Sequence, residues 1–145
     1  VSKVTHMSYM FNCAGASATT FNLSLSKWNV SSVTNMSFMF KDAGQNATTW
    51  SIGNISTWDV SNVTDMNHMF SGAGQSDNAA SIGNLSKWNT SNVTNMTDMF
   101  KSFAVKCFNI TITIPSKSGS LTNTTSKWYG ANSNVYYEGT FTLAS

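Results

Sequence analysis

Charge is what this sequence has least of. Asp, Glu, Lys and Arg make up 10% of its 145 residues, against roughly a quarter of an ordinary soluble domain. The net charge is +2, so the basic footprint that nucleic acid requires is missing. The acids number six: Asp42, Asp59, Asp65, Asp77, Asp98 and Glu138. None forms a recurring pair, so two-carboxylate hydrolysis has no support. His6 and His68 have no Cys or carboxylate at metal-ligand spacing. Cys13 and Cys107 lack the context of a nucleophile, and no glycine-rich phosphate loop occurs. No apolar run approaches the roughly 18 residues of a membrane span. Neither an initiator Met nor a signal peptide is present, so a mature or excised piece of a longer product is expected. Enzymatic activity, cofactors and metals are not expected.

The polarity comes instead from Asn, Ser and Thr, about two fifths of the chain. Within this composition one phrase recurs four times. Val4-Thr5-His6-Met7-Ser8-Tyr9-Met10-Phe11 returns from Val33 to Phe40, from Val63 to Phe70, and from Val93 to Phe100. A fixed period near 30 residues predicts stacked units, because one such unit cannot bury its apolar face alone.

Each unit divides into two patterns. Trp58 and Val60, like Trp28 and Val30, alternate with polar residues, the period of a short half-buried strand. Val63, Met66, Met69 and Phe70 then follow at i, i+3, i+6 and i+7, which predicts a helix of about two turns. Thr64 or Asp65 is placed to cap it, and Ala73-Gly74 to stop it. All eight methionines fall in these phrases. Stacking would line the Met, Phe and Trp side chains into ladders, and core is the better reading of those ladders than a binding surface. Phe21 and Trp50 share a register in the loop after the phrase, but Ala80 replaces them in the third copy. A satellite core cluster and a partly exposed contact residue both remain open for that position.

After Phe100 the pattern changes. Residues 107–115 alternate strictly and end at the only proline, Pro115, which predicts a strand. Val135-Tyr136-Tyr137 and Thr140-Phe141-Thr142-Leu143 read as a hairpin around Glu138-Gly139. The expected fold is therefore an α/β repeat solenoid of short parallel strands and short helices. Residues 1–106 would form one truncated and three further units, and residues 107–145 a β-rich C-terminal cap.

The phrase Trp-Asn/Asp-Val-Ser-Asn-Val-Thr-Asn/Asp-Met-x-x-Met-Phe resembles the repeats of bacterial surface proteins of the BspA-like, DUF285 type. The resemblance covers about residues 1–100. That family is grouped with the leucine-rich repeats, and Ile55-Ser56-Thr57-Trp58-Asp59-Val60 is similar to their Leu-x-x-Leu-x-Leu strand. The resemblance implies a leucine-rich-repeat-like, right-handed solenoid with a strand ladder on one face. It also implies a non-catalytic role at the cell surface, in adhesion or an uncharacterised surface function.

The strand ladder would expose Lys27, Asn29, Ser31, Thr57, Asp59, Ser61, Lys87, Asn89 and Ser91 on one face. This is the candidate binding face, for a glycan or a protein. A solvated face of hydrogen-bonded Asn side chains is the competing reading, since large anchoring residues are missing from these positions. Asn-x-Ser/Thr sequons begin at twelve asparagines. Asn46 and Asn123, in loop-like context, are the leading glycosylation sites. Sequons at Asn35, Asn62, Asn92 and Asn95 would serve as turns and caps. A surface with little charge and many acceptors suits an extracellular glycoprotein.

Two functions follow. The first is a protomer that stacks on copies of itself, head to tail, into a fibre or surface layer, since the first unit is incomplete and open solenoid ends invite stacking. The second is a monomeric cell-surface adhesion module. Cys13 and Cys107 bear on the first. Three repeats separate them, about 14 Å at a rise of about 4.8 Å per turn, whereas a disulfide needs Cα atoms within about 7 Å. A bridge within one chain is not expected. Free thiols and an intermolecular bridge across the junction both stay open.

Overall fold

The computed structural model describes residues 1–77, 79–80, 82–85 and 87–104, together with the strands at 111–113 and 136–138. Among the described residues four short strands occur: β1 (Thr20–Asn22), β2 (Thr49–Ser51), β3 (Thr111–Thr113) and β4 (Tyr136–Glu138). β1 pairs in parallel with β2, setting Phe21 beside Trp50, and β3 pairs in parallel with β4. β3 falls within the strand expected over 107–115. The hairpin expected around Glu138 lies, apart from β4, outside the described residues.

Consecutive copies of the phrase lie side by side in register. Parallel bridges join His6 to Asn35, Asn35 to Asp65, and Asp65 to Asn95. From each bridge a ladder runs along the phrase. The N–H groups of Met7, Tyr9, Phe11 and Cys13 donate to the carbonyls of Asn35, Ser37, Met39 and Lys41 at 2.8–3.0 Å. The next copy repeats this: Met36, Phe38, Phe40 and Asp42 donate to Asp65, Asn67, Met69 and Ser71. Thr34, Thr64 and Thr94 return bonds from backbone N–H to the preceding copy.

This ladder replaces the short helix expected over the phrase; among the described residues no helix forms. The intervening N–H groups close tight turns within their own copy, as in Met39 to Met36, Lys41 to Phe38 and Ala43 to Phe40. Alternate amides therefore point to a neighbouring copy and cannot complete an i→i−4 helical series. The residues at the third position of the turn run confirm it. Tyr9, Phe38, His68 and Asp98 all have φ between 51° and 59°, a left-handed conformation that interrupts a right-handed helix. Spacing of i, i+3, i+7 fits either structure, and pairing between copies decided between them.

The strand expected through Trp58-Asp59-Val60 also differs. Its alternation is present, with Trp58 and Val60 buried and Asp59 exposed. Its backbone, however, makes no backbone–backbone bond to a neighbouring copy between 56 and 62 among the described residues. The regular strands β1 and β2 lie instead in the loop after the phrase, where Phe21 and Trp50 are buried and stack at 6.2 Å. Phe21 and Trp50 are thus core residues.

The core is built of columns. Phe11, Phe40, Phe70 and Phe100 stack with ring centroids 5.3, 5.4 and 5.4 Å apart, within the range in which aromatic pairs attract. Met36, Met39, Met66 and Met69 are completely buried beside them. Each buried indole N–H has an acceptor: Trp50 donates to the Ala43 carbonyl, Trp58 to Leu25 and Trp88 to Ile55. Trp28 is only half-buried and packs obliquely on Phe11. The third copy of the loop ends the β1–β2 pairing with a carboxylate. Buried Asp77 accepts the N–H of Trp50 at 2.7 Å, where a further strand would have offered a carbonyl, and its other oxygen accepts from Ala79.

Candidate functional site

The nine positions of the expected binding face lie in the segment where backbone pairing between copies lapses. Side chains stitch the copies there instead. Asn62 Nδ2 donates to the Ser31 carbonyl, Asn92 Nδ2 to Ser61, and the indoles of Trp58 and Trp88 reach back as described. Asn29, Asp59 and Asn89 each accept the N–H of the residue two further on, Ser31, Ser61 and Ser91, at 3.0–3.1 Å. These Asx turns hold the three side chains in one conformation.

The lapse leaves a groove of about 530 Å3 between the second and third copies. Ser56, Thr57, Trp58, Asp59 and Val60 form one side, and Asn84, Lys87 and Asn89 the other. The structure thus brings together Thr57, Asp59, Lys87 and Asn89 of the expected face. Lys27, Asn29, Ser31, Ser61 and Ser91 do not line this groove. Trp58, Val60, Ser56 and Asn84 join it although the sequence reading left them out. Trp58 and Val60 border the groove while themselves only 4% and 1% exposed, buried as their alternation predicts. Ser61 holds the Asp59 carboxyl below the usual carboxylate range, chiefly through its hydroxyl and then through its backbone N–H. Asp59 is therefore ionised throughout the neutral range. No ion pair reaches Asp59 or Lys87 among the described residues.

A second column was missed. Tyr9 stacks on Phe38 at 4.6 Å, Phe38 on His68 at 4.8 Å, and His68 Nε2 lies 3.4 Å from the Asp98 carboxylate. Lys101 pairs with the same oxygen at 3.2 Å. A flat ring at the second residue after the first Met of the phrase, in three of four copies, was the available signal. Burial holds the His68 pKa below its ordinary value, outweighing the opposing pull of Asp98; Lys101 and Lys41 act with burial, and Asp65 against it. Protonation is thus easier in the unfolded chain. Above about pH 6.5, the unfolded value, His68 is neutral in both states and has no linked effect. As pH falls below that value the unfolded chain takes up the proton first, and stability is lost until pH passes the lower folded value. Thermal denaturation should show a midpoint that drops from about pH 7 to pH 5. His68→Phe, which extends the ring stack without a titrating group, should flatten the curve over that interval.

Among the described residues no group of three or more His, Cys, Asp or Glu side chains gathers into a metal site, and no helix is long and apolar enough to cross a membrane. Cys13 is exposed and free. Asn46 is exposed on a turn. Cys107 and Asn123 lie outside the described residues.

The repeated phrase and its ladder point to one family. The family described as "Mycoplasma protein of unknown function, DUF285" matches residues 1–104 and again residues 45–135. The chain belongs to the DUF285 family. No match to it occurs among curated proteins or among solved structures.

Proposed function

We propose that this chain is a non-catalytic extracellular repeat solenoid whose units continue end to end, as the protomer of a fibre or surface layer. The observation that carries this is the outer face of the first copy. Met10 is 43% exposed, whereas its counterparts Met39 and Met69 are wholly buried, and Tyr9 is 56% exposed where its counterparts Phe38 and His68 are half-buried. The carbonyls of His6, Ser8, Met10 and Asn12 accept no bond among the described residues. Their counterparts at Asn35, Ser37, Met39 and Lys41 each accept one from the copy outside them. A row of acceptors spaced two residues apart, with an apolar side chain beside it, is what the repeat itself pairs with: Met66, His68, Phe70 and Gly72 donate to such a row at Asn95, Thr97, Met99 and Lys101 of the next copy. An unprotected edge of this kind pairs with another chain. A non-closing contact of unlike ends propagates as a filament.

Glycosylation belongs to the same reading. Most sequon asparagines among the described residues are spent on structure: Asn29, Asn35, Asn54, Asn89 and Asn95 accept Asx-turn bonds, and Asn62 and Asn92 donate across copies. The exposed Asn46 amide makes no such bond, which supports it as the acceptor.

Light scattering and electron microscopy test the assembly. The purified chain should form linear multimers as its concentration rises. Met10→Lys and Tyr9→Lys should hold it monomeric with cooperative unfolding retained. A wild-type chain that stays monomeric at every concentration, or multimers indifferent to both substitutions, would overturn the proposal.

A further inference from the structure

We infer that the groove between the second and third copies binds a neutral saccharide through adjacent hydroxyl groups. This stands apart from end-to-end assembly, since none of the groove residues lies in the first copy. The groove lies where, among the described residues, no backbone–backbone bond joins the two copies between 56 and 62. Its volume of about 530 Å3 lies within the 300–1,000 Å3 or so of small-molecule sites.

The chemistry of the walls selects the ligand. Asp59 offers carboxylate lone pairs only, since an ionised carboxylate cannot donate. Lys87 offers donors only. Asn89 spends its side-chain oxygen on the Ser91 N–H and so presents its NH2 group as a donor. Trp58 and Val60 border the groove but are buried, so its accessible groups are mainly polar. Vicinal sugar hydroxyls meet all of this at once: each donates and accepts, so one can donate to Asp59 while its neighbour accepts from Lys87 or Asn89. One carboxylate and one ammonium leave the groove without net charge, and Asp59 opposes a phosphate or sulfate group. Asp59 marks this copy in particular, because the equivalent positions carry Asn29 and Asn89. Its Asx turn holds it in place before a ligand arrives, which lowers the ordering cost of binding.

Isotope-labelled chain should be titrated with cellotriose, mannotriose, triacetylchitotriose and a sulfated heparin hexasaccharide, below the concentration at which multimers form. At least one neutral trisaccharide should shift the Trp58 indole and Asn89 amide signals saturably. Asp59→Asn is the informative variant, since Asn at this position already makes the same turn in the copies on either side. It should unfold like wild type yet bind about tenfold more weakly, the value of a charge-assisted hydrogen bond. Lys87→Met should weaken binding less. No response to any neutral trisaccharide, unchanged affinity in Asp59→Asn, or binding of the sulfated hexasaccharide alone would overturn the inference. Each of those results would leave the end-to-end reading standing.

Discussion

Phe70→Ala is expected to lower the unfolding free energy by about 3–5 kcal/mol, and Phe11→Ala by much less. The two residues hold the same place in the phrase. Phe70 is wholly buried, with Phe40 and Phe100 stacked 5.4 Å away on either side and Phe103 against it at 5.8 Å. Its removal opens a cavity walled on two sides by rings that are themselves held by hydrogen-bonded backbone and cannot collapse inward. Phe11 is half-buried and stacks on one neighbouring copy only. Met66→Ala and Met69→Ala should fall between, at about 2–5 kcal/mol each, since both are fully buried but flexible neighbours can partly fill the space. Denaturant titration of the four variants checks the order. A Phe70→Ala midpoint close to that of wild type would refute the columnar core.

Gly44→Ala should be nearly as damaging, for a different reason. Gly44 has φ +55°, and a Cβ there would meet Phe21 Cβ and Trp50 Cδ1, each at 2.6 Å. The left-handed conformation costs an alanine about 1–2 kcal/mol, and overpacking two buried rings adds about 1–3 kcal/mol. Gly53→Ala is the control. Gly53 has φ +80°, but its nearest neighbours to a new Cβ lie at 3.5 Å, ordinary contact distance. It should show the conformational cost alone. Equal losses in the two variants would mean that the β1–β2 rings are not packed against the Gly44 turn as described.

The sequence alone revealed the family and the identity of the core. The Val-Thr-x-Met-x-x-Met-Phe phrase carried the resemblance to DUF285, and the recurrence of Met36, Met66, Phe40 and Phe70 marked residues that are buried. Period and apolarity are local properties, and burial follows them whatever the backbone does. Alternation at Trp58-Asp59-Val60 likewise showed which side chains face inward. What it could not show was where the backbone hydrogen bonds go. A phrase spaced i, i+3, i+7 satisfies a helix or a run of turns equally. The choice fell to amides that gained partners about 30 residues away, at Asn35, Asp65 and Asn95. The same holds for the candidate site. Thr57, Asp59, Lys87 and Asn89 were legible as an exposed polar set, but the groove between them depends on a gap in pairing between copies. Asp77, one acid among six, carried no mark of its role, because the N–H it satisfies belongs to Trp50 in the preceding copy. Side-chain burial is encoded within each repeat. Pairing, gaps and edges arise between repeats, and they exist only once the copies are stacked.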